Sequence, residues 1–285
     1  MANNPAFNRL EKDAQTGYAG FRTDAAASSQ AATGAMTAQQ LQDLYDQPSA
    51  VRTGTDRPVT MDDVVMKTLG LFAVLLVTGT VGWLVAASNE TIGFALWMGG
   101  AIATLVLGLV IAFRKTLSVP LIVAYAFVQG LFVGAVSQYY SVRFDEAGTP
   151  AFQGIVAQAV MATLATFAGM FLAYRFGLIK VTAKFRRIMT MMIFGYAIFA
   201  VVNFIFAIVT NTPFGIGGSG ALGIGISLFA VGLAAFTLAL DFDAIEYAIR
   251  TGAPQKYSWL LAHGLIVTLV WLYLEFLRLL GRMRN

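Results

Sequence analysis

Four acidic residues near the C-terminus have the types and positions that could do chemistry. Asp241, Asp243 and Glu246 stand at the end of a long apolar run, and Glu275 lies inside the next one. Ionisable groups at membrane depth are costly, and they usually face a bundle interior or a water path where they serve ions or protons. Glu275 is therefore the clearest candidate for such a role.

Each of these acids also has a simpler interpretation. Glu275 and Arg278 are three positions apart, so they can form an ion pair that only holds the end of a helix. Asp241 and Asp243 can be solvated residues at a helix end. Because they are two positions apart they point to different faces, so we expect at most one to face the bundle. The sequence leaves open which one does.

Two motifs that suggest enzymes fail on their context. Gly215, Gly217 and Gly220 have dinucleotide-binding spacing but follow an apolar helix instead of a strand, so we predict a flexible external loop there. Ser219 precedes His263, the only histidine, as in a Ser/His dyad. The two residues are predicted near opposite ends of neighbouring helices, beyond hydrogen-bond reach. We therefore predict that the protein is not an enzyme and that His263 lies in a helix interface.

The composition is that of a membrane protein. Of the 285 residues, 58% are hydrophobic and 12% are charged, whereas soluble proteins carry about 25% charged residues. The chain has no cysteine, so any metal would need oxygen ligands rather than thiolates. Lysine and arginine occur in short clusters between apolar runs, which argues against a nucleic-acid partner and for the lipid bilayer.

Apolar runs of about 20 residues recur after Thr68, each long enough to cross a hydrocarbon core of about 30 Å. They predict an all-α integral membrane protein with about seven transmembrane helices, at 68–87, 92–113, 119–138, 152–174, 187–210, 220–243 and 258–281. We assign residues 67–285 to this transmembrane domain. Residues 1–66 are rich in small and polar types, which predicts a disordered tail. Within it, Thr37 and Gln40 have capping-box spacing, which fits either a short amphipathic helix or a transient one.

The distribution of basic residues predicts the orientation. Fifteen of the nineteen lysines and arginines fall on the side of the tail, which puts the N-terminus in the cytoplasm of a multi-pass cell-membrane protein. Seven crossings then put the C-terminus outside. Arg278, Arg282 and Arg284 oppose this assignment, so the last segment could be short or re-entrant.

Motifs in the last two helices carry a resemblance to a known family. The segment Leu240-Asp-Phe-Asp-Ala-Ile-Glu246, followed by Trp271-Leu-Tyr-Leu-Glu-Phe-Leu-Arg-Leu-Leu280, resembles the end of the Bax inhibitor-1 family, also called the transmembrane Bax inhibitor motif family. Phe113-Arg114-Lys115 and Ala126-Phe-Val-Gln-Gly130 add to the similarity. The resemblance covers roughly residues 68–281; each motif alone is weak, but their order is fairly specific.

The resemblance implies a seven-helix fold with a central last helix and a pH-sensitive calcium leak in a bacterial inner membrane. It places two facing carboxylates, the sensor and a calcium site, at Asp243 and Glu275, with Asp241 as the other acid of that helix. Two carboxylates in contact share a proton because they cannot both ionise cheaply. Arg114 would be a latch and Arg278 a pair partner. Calcium would be the permeant ion, with no tightly bound cofactor.

The sequence also departs from the family pattern. Glu275 replaces an aspartate, and the arginine cluster after helix two is reduced to Arg114 and Lys115. Asp243 and Glu275 are 32 residues apart. If both helices were straight, Glu275 would lie about 15 Å deeper than Asp243. Pairing therefore requires a break or an interfacial stretch before Gly264, over Lys256 to His263.

Two functions follow. The first is a pH-sensitive calcium leak channel or exchanger, gated by the carboxylates of helices six and seven, with calcium ions and protons as its partners. The second is a membrane regulator that does not transport, and that binds other membrane proteins such as proteases or stress factors.

Overall fold

The computed structural model describes residues 57–114, 116–210, 212 and 214–285, which form seven α-helices and two short 3-10 helices, Ala151–Gln153 and Gln255–Tyr257. Each of the seven α-helices is long and apolar enough to cross a membrane, which confirms the predicted fold class. They are α1 (Met61–Ser88), α2 (Glu90–Phe113), α3 (Val119–Phe144), α4 (Ile155–Arg175), α5 (Ala183–Thr210), α6 (Ala221–Arg250) and α7 (Ser258–Arg284). The motif at Thr37 and Gln40 lies outside the described residues.

The first helix begins before the predicted span. Thr60 and Asp63 form a reciprocal capping box, so α1 starts at Met61. Arg57 pairs with Asp63 at 2.6 Å, and the backbone N–H of Val59 donates to the carbonyl of Ala253 at 2.7 Å. Residues 57–66, which the sequence analysis placed in a disordered tail, therefore belong to the folded domain. The predicted boundary was wrong because the capping-box residues are polar, so in the sequence they look like part of the tail.

Glycines let α1 and α3 pack closely. The backbone of Leu131 leaves no room for a side chain at Gly82, and the backbones of Gly79 and Trp83 leave none at Gly134. Small residues at an interface allow helix backbones to approach each other in a membrane. Both helices also pack against the last helix.

The last helix is the centre of the bundle. It packs against α1, α3, α4 and α6, and 61% of its most apolar stretch is buried, compared with 6% for α2 and for α5. The outer surface of α5 instead exposes large apolar residues such as Phe194, Ile198 and Val201. Such a surface on α5 suits contact with lipid. The burial of α7 confirms the central position that the resemblance implied for it.

The last helix crosses the whole bundle. Near its start, Gln255 donates its backbone N–H to the carbonyl of Arg57, on what we call the N-terminal side. At its other end, Arg284 pairs with Asp145 at 2.6 Å, beside the α3–α4 connection, on what we call the far side. The last segment is thus neither short nor re-entrant.

The loop before α6 is held at the far side. The amide of Asn203 donates to the carbonyl of Phe214 at 3.2 Å and accepts from the N–H of Ile216 at 2.7 Å. Arg282 donates to the same Phe214 carbonyl at 3.1 Å. The predicted flexible loop is therefore a hydrogen-bonded one, tied to α5 and α7.

The predicted separation of Ser219 and His263 is confirmed. Ser219 accepts a hydrogen bond from Asn285, 22 residues beyond His263 in the chain and so about 33 Å along α7. His263 is buried and packs edge-on against Tyr125, with ring centroids 4.5 Å apart. It is a helix-interface residue, as the sequence predicted.

Candidate functional site

One face of α7 carries a row of polar side chains through the bundle. Successive members are three or four positions apart, so they lie on the same side of the helix. This polar row consists of Thr268, Trp271, Glu275, Arg278 and Arg282. Thr268, Glu275 and Arg282 are buried, at 5%, 3% and 2% exposure. Because charged groups at this depth are costly, the three charged side chains of this row mark the candidate site.

Glu275 is the most enclosed carboxylate of the row. The hydroxyl of Tyr196 on α5 donates to its Oε1 at 2.6 Å, and the indole N–H of Trp271 donates to the same oxygen at 3.1 Å. Arg278 Nη1 lies 3.1 Å from both carboxylate oxygens. Together these donors engage both oxygens of the carboxyl group.

The pair partner Arg278 does more than its sequence position suggests. It is three positions from Glu275, as the simpler interpretation requires, but Arg278 Nη1 also donates to the Tyr196 hydroxyl at 3.1 Å. Tyr196 in turn stacks on Trp271, with ring centroids 5.7 Å apart. The ion pair therefore joins α7 to α5 instead of only holding one helix end.

Asp241 is the acid of α6 that faces the last helix. Its carboxylate lies beside the side chain of Thr268 and close to Gly264. Within the described part of the chain, its buried Oδ2 has no hydrogen-bond partner. Asp241, and not Asp243, is therefore the acid of α6 that faces the bundle interior.

Asp243 points to a different region, at the N-terminal side. It forms an ion pair with Arg186 at the start of α5, and the two side chains are 23% and 40% exposed. Asp243 also lines a cavity of about 290 Å³, together with Lys180 and Glu246. The Tyr174 hydroxyl donates to Glu246 at 2.6 Å in the same place. We call this region the mouth: the cavity with Asp243, Glu246 and Arg186.

The aromatic residue before Asp243 fixes its direction. Phe242 is buried and its ring contacts those of Phe167, Phe171 and Tyr174 on α4, with centroids 5.5 to 5.8 Å apart. Aromatic contacts of this kind have definite geometries. Because Phe242 is held against α4, the next residue, Asp243, is directed to the mouth.

The structure does not bring Asp243 and Glu275 together. Asp243 pairs with Arg186 and Glu275 with Tyr196, and these two partners are ten residues apart on α5, or about 15 Å. The break that pairing would need is also missing, because α7 runs without interruption from Ser258 to Arg284. The predicted calcium site between the two carboxylates is therefore not formed.

Asp243 pairs with Arg186 instead of with Arg114, the predicted latch residue. Arg114 lines a separate cavity with Ser118 and Lys256, whereas Arg186 holds Asp243. Lys115 lies outside the described residues. In the sequence, Arg186 stood in a basic cluster that indicated only orientation, so its role was missed. The predicted partnership of Arg278 with Glu275 is confirmed.

Apolar side chains separate the acids of α6 from Glu275. Leu238 and Leu272 are fully buried at depths between Asp241 and Glu275, and they pack with Leu265 and Phe242. We call Leu238 and Leu272 the leucine barrier. Neither leucine offers a ligand to an ion.

Tyr196 and Thr268 are two further site residues that sequence reasoning missed. Tyr196 lies on an apolar helix and gave no signal of its own. The spacing of three and four from Thr268 to Arg282 was visible in the sequence, and it would have identified the polar face of α7. In the part of the chain that the structure describes, no three carboxylate or imidazole groups converge on one point.

Comparison with known proteins agrees with the architecture. The model of the family described as Bax inhibitor 1 like matches residues 4–285. The chain therefore belongs to this family. A search of curated proteins finds no significant match.

Proposed function

We propose that this member of the Bax inhibitor 1 like family is a pH-sensitive calcium leak channel or exchanger that uses the polar row of α7. The observation that carries the proposal is the buried Glu275, held by Tyr196, Trp271 and Arg278 in the centre of the bundle. Such groups in membranes usually serve ions or protons. Two further acids, Asp241 and Asp243, lead towards it from the N-terminal side.

The mouth controls entry in this proposal. Arg186 neutralises Asp243 in the closed state, so a cation entering the cavity meets an occupied carboxylate. Loss of this ion pair would free the Arg186 side chain to move and leave the Asp243 carboxylate open to a cation.

The leucine barrier supplies the closed gate. Hydrophobic constrictions can stop ions by excluding water from a pore. Beyond Leu238 and Leu272, Glu275 attracts a cation once Arg278 turns away from it. The carboxylates thus act at two depths, Asp243 at entry and Glu275 in the centre, instead of as one pair.

The test is calcium uptake by dye-loaded proteoliposomes at about pH 5 to 8. We expect the parental flux to depend on pH, Glu275→Gln to abolish most of it, and Asp243→Asn to raise it at neutral pH because the ion pair with Arg186 is lost. Glu90→Gln, which changes an exposed acid at the start of α2, is the matched control and should behave as the parent. A folded Glu275→Gln variant with parental flux would exclude the central role of this residue.

We propose the orientation and membrane from the charge distribution. The N-terminal side carries most basic residues, including Arg175, Lys180 and Arg250, which favours a cytoplasmic location in a bacterial inner membrane. Because the chain lacks cysteine, single Lys180→Cys and Glu146→Cys variants can be labelled cleanly. An impermeant maleimide on intact cells should label position 146 and leave position 180 unlabelled. The reverse pattern would invert the orientation.

One observation favours the second function, a regulator that binds other membrane proteins. Arg57 to Val59 attach to the connection between α6 and α7, so a partner that held the preceding segment would pull on the start of the central helix. This function predicts no flux from folded, purified protein and a crosslinked partner in cells. Flux from the purified protein alone would instead establish the channel or exchanger.

A further inference from the structure

A second cavity opens at the N-terminal side, away from the mouth. It has a volume of about 340 Å³ and lies between the α2–α3 connection and the start of α7. Its polar lining comes from Arg114, Thr116, Ser118 and Lys256, and both basic side chains belong to exposed residues. We call this the basic cavity.

The charged residues that line the basic cavity are both basic. Among its lining residues in the described part of the chain there is no carboxylate to neutralise Arg114 or Lys256. The Lys256 ammonium lies over the ring of Tyr257, which also lines the cavity, at 5.6 Å from the ring centroid. Two cations and two hydroxyls in one concave site suit a phosphate group, because arginine and lysine are the usual phosphate-binding side chains.

The first turn of α3 adds to the positive potential. Ser118 is the N-cap of this 26-residue helix, yet its side chain makes no capping hydrogen bond, and proline stands in the first turn. The free N–H groups and the helix dipole at such an end favour an anion. The Ser118 hydroxyl is thus available to a ligand in the cavity.

The other walls of the basic cavity are apolar. Ile111, Leu117, Leu121 and Leu260 line it, and Leu117 and Leu260 also pack against two hydrophobic clusters of the bundle. A free phosphate ion gains nothing from such walls, whereas the glycerol and first acyl carbons of a lipid would bury against them. Basic pockets between transmembrane helices are places where anionic lipid headgroups bind.

We propose that the basic cavity binds the phosphate headgroup of an anionic phospholipid, with Arg114 and Lys256 as its cationic ligands. The lipid joins the end of α2 to the start of α7, and its acyl chains leave along the apolar wall. This site does not depend on ion conduction. It gives Arg114 a role that its separation from Asp243 would otherwise leave unexplained.

The test is binding of phosphatidylglycerol to the full-length protein in detergent, measured by native mass spectrometry and by the shift in melting temperature. Arg114→Gln with Lys256→Gln should weaken binding by at least about tenfold relative to the parent. The matched control is Lys184→Gln with Arg250→Gln, which removes two exposed charges from the same side outside the cavity. It should change binding by less than about twofold.

A second variant keeps the charges and fills the space. Leu121→Trp should block the lipid while Arg114 and Lys256 remain, which separates loss of binding from loss of folding. Phosphatidylcholine, which has no net charge, should bind to the parent at least about tenfold more weakly than phosphatidylglycerol. Equal loss in the cavity and control double variants, or inorganic phosphate binding as tightly as the lipid, would overturn the proposal.

Discussion

Asp243 and Glu275 are both carboxylates paired with an arginine, but their surroundings differ. The Asp243 side chain is 23% exposed and its partner Arg186 is 40% exposed, at the open mouth. The Glu275 side chain is 4% exposed and has donors from Tyr196, Trp271 and Arg278. The two arginines differ little, because Arg278 is 36% exposed, so the contrast lies in the carboxylates. When its arginine leaves, Asp243 can be solvated at little cost, whereas the enclosed Glu275 cannot. In the proposed channel or exchanger, Asp243 would control entry and Glu275 would be the central ion-binding group.

The largest effect should come from removing Arg278 alone. Arg278→Gln leaves the buried Glu275 carboxylate without its counter-charge, and we expect a loss of about 2 to 3 kcal/mol in unfolding free energy. Glu275→Gln combined with Arg278→Gln should recover most of this loss, because no unpaired charge remains. Denaturation in mild detergent measures both. A double variant less stable than Arg278→Gln would show that the Glu275 charge is not enclosed.

Asp243→Asn should affect function more than stability. It removes the Asp243 charge, so the ion pair with Arg186 is lost. A pair of this exposure contributes up to about 1 kcal/mol, which allows up to about a fivefold rise in calcium flux at neutral pH. Proteoliposome flux measures this, with Glu90→Gln as the control. A flux equal to that of the parent would exclude the Asp243–Arg186 ion pair from gating.

Tyr196→Phe should have a smaller effect at the centre. It removes one hydroxyl that donates to Glu275 while keeping the ring that stacks on Trp271. Loss of one hydrogen bond to a carboxylate should cost about 1 to 2 kcal/mol in unfolding free energy. Phe199→Leu, which alters a neighbouring ring without a hydrogen bond to Glu275, is a useful comparison. Unchanged stability of Tyr196→Phe would mean that Glu275 does not need this donor.

Tyr174→Phe should have the smallest effect, because it acts at the mouth. Its hydroxyl donates to Glu246 in an exposed position, where water can replace it. We expect a change of at most about 0.5 kcal/mol in unfolding free energy. The same measurement as for Tyr196→Phe gives a direct contrast between mouth and centre. A larger loss for Tyr174→Phe than for Tyr196→Phe would reverse the comparison.

The spans were predictable because apolar runs of membrane length leave few alternatives. The prediction ended helix six at residue 243, whereas α6 continues to Arg250. Asp241, Asp243 and Glu246 had suggested the end of the span, but a helix can continue past the apolar layer. The first helix likewise begins at Met61, because its cap is formed by polar residues.

The site was harder to predict because its contacts join distant parts of the chain. The distance estimate of about 15 Å between Asp243 and Glu275 already opposed their pairing, and the uninterrupted α7 agrees with it. The helix spacing of Glu275 and Arg278 predicted their ion pair. Nothing local in the sequence indicated that Arg186 and Tyr196 on α5 would complete the two networks, because that depends on how α5 packs against α6 and α7.

The most direct test of two separate carboxylate sites is a double-mutant cycle on calcium flux with Asp243→Asn and Glu275→Gln. To keep flux measurable in the Glu275 variants, the cycle is run at high calcium concentration. Sites about 15 Å apart that share no partner should act independently. The account predicts that the fold-changes of the two single variants multiply in the double variant, within about twofold. A double variant with the same flux as Glu275→Gln alone would contradict it, and would show that the two carboxylates work as one pair.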